Sequence, residues 1–237
     1  MKDLGTLLGI WAHPDDDIYL SSGVMAVAAA AGERVVDVTA TRGEGGSMDE
    51  SRWPPEHMGE VRTQELHRSL EILGVKEHRF LQGCLDVDMQ TSLDEVGRAQ
   101  VVEIVRDIQP DTVLTFGPDG MTGHAGHQSV HRWATDAFRE AAPSGARLLY
   151  ATNTPEWVEE WVPKLAPFNI FLPGSPPQTP REEIALFLPL DDELRDLKLR
   201  AISAHESQVE GLLEVFGGEG FKRAFSQESF RLAEVKS

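Results

Sequence analysis

The segment 12–17 reads Ala-His-Pro-Asp-Asp-Asp and directly follows a short apolar run, Leu7–Trp11. His13 and Asp16 stand three residues apart, so one turn of chain can aim an imidazole and a carboxylate at one point, with Asp15 between them. Zinc accepts imidazole nitrogen and carboxylate oxygen, and a catalytic zinc site keeps one position open for water. Three aspartates are also typical of a helix cap, because carboxylates favour the positive end of the helix dipole. The segment is therefore either a metal site or a cap, and the adjacent histidine favours the metal.

A second polar group lies in the glycine-rich segment 117–127, which follows another strand-like run, Thr112–Phe116. It contains His124 and His127, again three residues apart. Glycine lets a backbone approach a ligand closely, so this loop can bring both imidazoles to a metal or a substrate. A flexible surface loop with solvated histidines would explain the same residues. The residue types alone leave both interpretations open.

A third loop, residues 41–46, reads Thr-Arg-Gly-Glu-Gly-Gly and follows the strand-like run Arg34–Thr41. Glycine-rich loops can cradle phosphates, but this one lacks both the P-loop lysine and the GxGxxG spacing. Nucleotide binding is therefore weakly supported.

These loops follow from a regular alternation of strand-like and helix-like segments along the first two thirds of the chain. Alternation of this kind predicts an α/β fold, with one mostly parallel sheet and helices on both faces. Ligands of such sheets bind at the carboxyl ends of the strands, so we expect the three loops to converge on one edge. The predicted strands are Leu7–Trp11, Arg34–Thr41, Phe80–Leu81 and Thr112–Phe116, and the predicted helices are Tyr19–Ala31, His57–Leu73, Val96–Ile108 and Ser129–Ala142.

The last third begins with a region rich in proline, Pro163–Pro180, which holds six of the 14 prolines. Proline removes ladder donors and fixes φ, so this region predicts a long ordered loop. A strand at Ile184–Leu188 and a charged helix from about Asp192 to Gln208 are expected to follow. The sequence contains no repeat or linker that would separate domains, which predicts a single domain over residues 1–237. We expect the Pro163–Pro180 loop and the pair Trp157 and Trp161 to shape the mouth of the pocket, although tryptophans at helical spacing are more often core or interface residues than sugar platforms.

The composition excludes several classes of function. Lys and Arg total 22 against 39 Asp and Glu, which gives a formal net charge of −17. Such a surface repels phosphate backbones and anionic lipid, so we expect neither nucleic acid nor a membrane as a partner. Cys84 is the only cysteine, so no intramolecular disulfide can form, which favours a reducing, cytoplasmic setting. No feature decides between a monomer and a homo-oligomer.

Taken together, these motifs resemble the GlcNAc-phosphatidylinositol de-N-acetylase (PIG-L, LmbE-like) family, which includes the deacetylases and amidases of mycothiol and bacillithiol metabolism. The resemblance starts at His13-Pro14-Asp15-Asp16, which is similar to the family's AHPDDE opening, and it spans nearly the whole chain. It continues through Thr41–Glu44, Arg62–Leu66, Leu73–Val75, Pro110–Asp111, Gly123–His127, Lys198, Ala204–Gln208 and Glu228–Phe230. The fold that it implies is Rossmann-like.

The resemblance implies a hydrolase with one Zn²⁺ per chain, or Fe²⁺ in its place, that removes an N-acyl group from an amino-sugar conjugate of the N-acetylglucosamine type. His13, Asp16 and His127 would bind the metal. Asp15 would be the general base, and His124 would stabilise the oxyanion or protonate the leaving amine. The implied substrate contacts are Arg62 and Asp86, with Arg42 as a further contact on the same rim.

Two positions depart from the family pattern. Gly126 stands where the family commonly has an aspartate, and Asp17 replaces the usual glutamate. A carboxylate beside a histidine can orient it, so the first change bears on His124 and leaves the metal ligands intact. The residues Arg62 and Glu65 are also explained by an intrahelical ion pair.

Three alternative functions stay open. One is an amidase of thiol-sugar conjugates. Another is a phosphoesterase that uses the 15–17 carboxylates for magnesium, although two histidines fit magnesium poorly. The third is a non-catalytic relative that binds a metal or a carbohydrate.

Overall fold

The computed structural model describes residues 4–86, 94–172 and 176–234, and these ranges contain one seven-stranded sheet. Its strands are β1 (Leu7–Trp11), β2 (Val35–Thr39), β3 (Glu77–Phe80), β4 (Thr112–Phe116), β5 (Arg147–Thr152), β6 (Ile184–Pro189) and β7 (Gln227–Leu232). The helices are α1 (Asp16–Ala30), α2 (Met58–Leu73), α3 (Asp94–Ile108), α4 (Gly120–Gly123), α5 (Ala125–Ala141), α6 (Pro155–Leu165), α7 (Asp192–Ser203) and α8 (Glu206–Ala224).

The strand order is β3-β2-β1-β4-β5-β7-β6. The first five strands are parallel, whereas β7 runs antiparallel to both of its neighbours. The chain leaves β1 toward β2 and later returns to β4 on the opposite side, so the point between β1 and β4 is a topological switch. Ligands bind at such points in open α/β sheets. The predicted α/β fold with a mostly parallel sheet is confirmed.

The helices pack in two groups. One group contains α1, α2 and α7, and the other contains α3 and α5. Right-handed crossovers place these groups on opposite faces of the sheet, because the chain reverses its direction across the sheet after β3. The central strand β1 is buried along its whole length, and Leu8, Ile10 and Trp11 are fully buried in the core. Among the described residues, no helix is long and apolar enough to cross a membrane.

Most predicted elements lie within a few residues of the observed ones, and α2 ends as predicted at Gly74, which has φ 76°. The third strand is an exception, since β3 ends at Phe80 where Phe80–Leu81 was expected to form the strand. The predicted helix from Asp192 to Gln208 is also wrong. The chain forms two helices there, α7 and α8, because the non-helical backbone of His205 lies between them.

The predicted loop from Pro163 to Pro180 begins too early. Pro163 lies inside α6, and a 3₁₀ helix, Ala166–Phe168, extends that helix before irregular chain begins. A proline lacks an N–H and leaves one carbonyl of the preceding turn without its helical donor.

Candidate active site

The segments after β1 and β4 meet at the carboxyl edge of the sheet. His13 lies just after β1, Asp16 is the first residue of α1, and His127 lies in the first turn of α5. Strands β1 and β4 are adjacent and parallel, which brings the loops that follow them together. All three side chains are nearly buried, with 7–9% of each residue exposed. The alternative of a flexible loop with solvated histidines is therefore wrong for His127.

Candidate ligand atoms of three side chains face one another at short distances. His13 Nδ1 lies 3.2 Å from His127 Nε2 and 3.5 Å from Asp16 Oδ2. His127 Nε2 lies 3.4 Å from Asp16 Oδ1. Bonds of 2.0–2.1 Å to a tetrahedral zinc put neighbouring ligand atoms about 3.4 Å apart. The three side chains that were predicted as ligands therefore have a spacing that fits one metal ion.

The outer ring nitrogens of both histidines have partners of the kind that metal-bound histidines have. His13 Nε2 lies 2.9 Å from Asp86 Oδ1, and His127 Nδ1 lies 2.9 Å from the carbonyl oxygen of Gly120. When each outer nitrogen donates its proton to that oxygen, the inner nitrogen presents a lone pair to the centre. Phe116 stacks on His127 with ring centroids 4.3 Å apart and holds the orientation of that ring. The donor set thus fits a divalent metal in chemistry as well as in spacing.

His124 is the third histidine at this edge. One ring nitrogen each of His13, His124 and His127 lie within 4.8 Å of one another, so this group too could hold a metal. His124 is the N-cap of α5, and its Nδ1 accepts the N–H of Gly126 at 3.2 Å. That bond leaves the proton of the neutral ring on Nε2. Asp16 contacts both of the other histidines, at 3.5 Å from His13 and 3.4 Å from His127, so it is the alternative third ligand.

Asp15 has a strained backbone that turns its carboxylate away from the helix it precedes. Its φ of 116° lies in the region that side chains rarely adopt, at a cost of about 1–3 kcal/mol. Within the described chain, its side chain makes no capping hydrogen bond to α1. The carboxylate instead lies 3.3 Å from Nη2 of Arg62. The capping alternative is therefore wrong for Asp15.

Burial and charge separate the pKa values of the acidic groups. Burial raises the pKa of Asp15 to about 7, helped by the charge of Asp16 and opposed by Arg62. Burial would also raise the pKa of Asp16, but the charges of His127 and His13 outweigh it and hold that pKa well below its ordinary value. Two neighbouring carboxylates with separated pKa values suit two different roles. Asp16 is then a permanent anion, and Asp15 can exchange a proton near neutral pH.

The third aspartate of the segment, Asp17, lies in different surroundings from the other two. Asp17 is 1% exposed, and burial together with the charge of Asp37 on β2 raises its pKa. The carboxylates of segment 12–17 thus face three different surroundings: Arg62 for Asp15, two histidines for Asp16 and the protein interior for Asp17. This arrangement does not provide the shared oxygen-rich cluster that a magnesium phosphoesterase would need.

Arg62 and Glu65 serve different neighbours. Besides Asp15, Arg62 contacts the carbonyl oxygens of Pro14 at 2.6 Å and Gly43 at 3.3 Å. A Cβ on Gly43, which has φ 66°, would lie 2.2 Å from Nη1 of Arg62, so only glycine fits there. Glu65 instead accepts the backbone N–H and the hydroxyl of Ser207. The alternative of an ion pair between Arg62 and Glu65 is therefore wrong.

The other two predicted substrate contacts lie on different parts of the rim. Asp86 binds His13 and accepts the N–H of Gly45 at 3.3 Å, so it orients a candidate ligand whether or not it also contacts substrate. The guanidinium of Arg42 lies over the ring of Phe80 and donates to the hydroxyl of Thr63. A substrate contact by Arg42 therefore stays a prediction.

A buried ion pair contacts α1, and the sequence did not indicate its role. Lys198 Nζ lies 2.8 Å from Glu228 Oε1 and donates to the carbonyl oxygen of Tyr19. Glu228 also accepts the backbone N–H groups of Gly23 and Val24. The pair thus ties α7 and β7 to the middle of the helix whose first residue is Asp16. Both positions had appeared only as pieces of the family resemblance.

One large cavity adjoins the candidate ligands. It has a volume of about 480 Å³, and Asp16, Phe116 and His127 line one end of it. Trp157 also lines it, as do Phe168 and Phe171 from the chain that follows α6. Trp157 and the chain after α6 thus shape this pocket, as expected. Trp161, in contrast, is 7% exposed and belongs to the hydrophobic core, as expected.

Comparisons with known proteins identify relatives of the chain. The family model described as PIG-L: GlcNAc-PI de-N-acetylase matches residues 8–138, which is more than half of the chain. A 1D-myo-inositol 2-acetamido-2-deoxy-alpha-D-glucopyranoside deacetylase from Thermobifida fusca is 30% identical over 86% of this chain and 83% of its own length. The enzyme of the same name from Kineococcus radiotolerans is 34% identical over 60% of this chain. That match spans about half of the relative's length (46%).

A solved structure has a similar fold. N,N'-diacetylchitobiose deacetylase from Pyrococcus horikoshii, in complex with its inhibitor MPG, superimposes with a TM-score of 0.68. The two chains are 22% identical, and the match covers 98% of this chain and 85% of the other. At this level of identity the likeness establishes the fold and leaves the reaction to be argued from the site.

Proposed function

This chain belongs to the GlcNAc-PI de-N-acetylase (PIG-L) family, and on that premise we propose that it is a metal-dependent N-deacetylase of an amino-sugar conjugate. The observation that carries the proposal is the convergence of His13, Asp16 and His127 beside Asp15, whose pKa is raised to about 7. The names of the relatives support a substrate with an N-acetylglucosamine unit linked to inositol.

We propose His13, Asp16 and His127 as the ligands of one zinc ion, with Fe²⁺ as the alternative. A divalent metal supplies Lewis-acid polarisation of the amide carbonyl and lowers the pKa of an attacking water. Neutral imidazoles and a carboxylate suit zinc and iron better than they suit magnesium. Protons donated by the outer nitrogens to Asp86 and to the carbonyl oxygen of Gly120 would leave the inner nitrogens free to bind the metal.

Asp15 is proposed as the general base. Its carboxylate takes a proton from the attacking water, whose oxygen bonds to the amide carbon. A base with a pKa near the working pH combines a deprotonated ground state with a useful affinity for the proton. The protonated Asp15 can then return that proton to the nitrogen as the C–N bond breaks, which releases the amine and the carboxylic acid.

His124 is proposed to stabilise the oxyanion. Since Nδ1 accepts the N–H of Gly126, the neutral ring carries its proton on Nε2 and donates from there. Burial and the charge of His13 lower the pKa of His124, which favours that neutral donor. A donor already in place needs no reorganisation when charge develops on the carbonyl oxygen, and removal of one such donor typically costs about 10²–10³ in kcat.

The proposal extends to the rest of the molecule. Strands from both ends of the chain lie in one sheet, which supports a single domain over residues 1–237. Cys84 is buried and unbridged, which supports a reducing compartment such as the cytoplasm.

The substrate is a small N-acyl sugar, with Arg62 and Asp86 closest to the site and Arg42 on its rim. A thiol-sugar conjugate is the alternative substrate.

The test is hydrolysis of 1D-myo-inositol 2-acetamido-2-deoxy-α-D-glucopyranoside, followed by the release of primary amine. The chelated protein should be inactive, and zinc or iron(II) should restore turnover. His127→Ala should lose both metal and activity, because one of three protein ligands is removed. His131→Ala is the matched control on the same helix, since His131 binds the carbonyl oxygen of Phe116. Activity that survives chelation would overturn the proposal.

A further inference from the structure

The cavity beside the candidate ligands is much larger than an acetyl group needs. Its volume is about 480 Å³, whereas one water molecule takes about 30 Å³ of liquid, so the cavity equals roughly sixteen waters. Its walls are largely aromatic and aliphatic side chains, among them Tyr19, Leu165, Phe168 and Phe225. A cavity of this size and character, with two candidate ligands at its end, suits an apolar group attached to the reacting amide.

The site has a polar side and an apolar side. The two ring nitrogens of His13 point in opposite directions, Nε2 toward Asp86 and Nδ1 toward His127. Asp86 lies on the first side, where it accepts the N–H of Gly45 and feels the charge of the buried Arg62, so this side is polar and charged. The cavity opens on the second side, past His127. An amide held between the two sides would place its sugar beside Asp86 and its acyl carbon toward the cavity.

Several buried polar groups in the cavity wall already have partners. The hydroxyl of Thr152 bonds that of Thr179 at 2.8 Å, and the indole N–H of Trp157 donates to the carbonyl oxygen of Ala224 at 2.6 Å. Glu228 is bound by Lys198. A sugar placed here would lose water from its hydroxyls with few free partners, whereas an aliphatic chain loses nothing of that kind. The wall therefore selects an apolar occupant.

We propose that this cavity receives the acyl chain of the substrate, so that the preferred substrates carry a medium-length N-acyl chain in place of acetyl. This inference rests on the proposed N-deacylase function and deepens it. The reaction is unchanged: water adds to the amide carbon, the C–N bond breaks, and a longer carboxylic acid leaves with the same amine.

The test uses the same inositol glycoside of glucosamine carrying an N-acetyl, N-butanoyl, N-hexanoyl or N-octanoyl group, assayed by the free amine that all four substrates release. Burial of one methylene should raise kcat/KM by about fourfold until the cavity is full. If none of the four is hydrolysed, the proposed function fails. If acetyl is hydrolysed as well as octanoyl or better, that function stands and the acyl cavity is overturned.

A second experiment places the alkyl chain on the amine side of the amide. The octyl glycoside of N-acetylglucosamine carries eight carbons on the leaving amine. We expect no gain over the methyl glycoside. A large gain here, without one in the acyl series, would assign the cavity to the amine side and overturn the inference.

A variant that fills the cavity separates this effect from general hydrophobicity. Ala151 lines the cavity from β5 and is 2% exposed. Ala151→Leu should lower the octanoyl-to-acetyl ratio of kcat/KM at least tenfold. Ala185→Leu makes the same substitution at an exposed position of β6 and should leave the ratio unchanged. A ratio that Ala151→Leu leaves unchanged would contradict the proposed location of the chain.

Binding gives a readout that does not depend on folding of the variant. Trp53 and Trp157 both line the cavity, so their fluorescence reports on its occupancy in the wild-type protein. Octanoate, the longer product, should change that fluorescence at concentrations at least a hundredfold below those that acetate needs. Equal affinity for the two acids would overturn the inference.

Discussion

The carboxylate of Asp15 lies 3.3 Å from the guanidinium of Arg62, at a residue whose φ is 116°. The strained backbone of Asp15 and its contact with Arg62 are related. The left-handed backbone of Asp15 leaves its side chain without a capping bond to α1, and the buried Arg62 gives its carboxylate a fixed partner. Strained residues persist where the surroundings over-determine them, and they cluster at active sites. The pair accordingly defines the first two predictions.

Asp15→Asn should keep the metal and lose turnover. The amide matches the carboxylate in size but cannot accept the proton, and loss of a general base typically costs about 10²–10⁴-fold. Metal analysis together with kcat on the N-acetyl substrate checks this. If the variant loses its metal along with its activity, Asp15 is a ligand and its role must be exchanged with that of Asp16.

Arg62→Lys should lower kcat while the protein stays folded and metal-replete. One ammonium cannot reach the three acceptors that the guanidinium contacts, namely Asp15 and the carbonyl oxygens of Pro14 and Gly43. We expect a loss of about 10–100-fold, because the base is misplaced but not removed. Arg68→Lys, at an exposed arginine of the same helix, is the matched control. Equal kcat for both variants would refute a positioning role for Arg62.

His124→Ala distinguishes an oxyanion donor from a ligand. If Asp16 completes the ligand set, the variant should retain its metal and lose about 10²–10³-fold in kcat, with a smaller change in KM. The measurement pairs metal content with steady-state kinetics. Loss of metal would instead support the group of three histidines, which the spacing of their nitrogens also permits.

The sequence was sufficient for the part of the site that depends on parallel strands. His13 and His127 each follow a strand, and adjacent parallel strands bring such residues to one edge whatever the details of the loops. The sequence was insufficient to predict contacts between segments that lie far apart in the chain, because no periodic pattern indicates such contacts. Asp86 meets His13 across 73 residues, and Lys198 meets Tyr19 across 179.

Helix ends in the last third show a related limit. Asp192–Gln208 has one continuous helical composition, yet the chain breaks at His205 because Glu65 of α2 binds the N–H of Ser207 at the start of α8. This partner is a tertiary one, so no local pattern indicates it. The remaining walls of the cavity could not be predicted for the same reason, since they join α1, β5, α6 and α8.

The buried pair of Lys198 and Glu228 yields a stability prediction. Lys198→Met should lower the free energy of unfolding by about 3–5 kcal/mol, because Glu228 is left buried without its cation. Lys198→Met combined with Glu228→Gln should be less destabilised than the sum of the two single variants. Urea unfolding of the four proteins in the cycle measures the coupling. Additive effects would mean that the ion pair does not stabilise α1.

The last prediction concerns Asp37, which lies fully buried on β2 behind the site. Burial, with the charge of Asp16, raises the pKa of Asp37 to about 7, against a hydrogen bond from Thr39. The unfolded chain releases this proton near pH 4, so between about pH 4 and 7 the folded state binds more protons than the unfolded state. The contribution of Asp37 to the free energy of unfolding therefore has its full value below pH 4. It falls as the pH rises to 7, by at most about 1.4 kcal/mol per pH unit.

Asp37→Asn removes that slope, because its amide does not titrate. The variant should gain stability relative to the wild type as pH rises from 4 to 7, and the difference should be constant above pH 7. Urea unfolding in the presence of chelator measures it without a contribution from metal binding. Asp192→Asn, whose side chain is 96% exposed, is the control for a changed net charge and should run parallel to the wild type. If the free energy of unfolding of Asp37→Asn also runs parallel to that of the wild type as pH changes, Asp37 ionises in the folded protein at its ordinary pKa. A polar partner would then offset its burial.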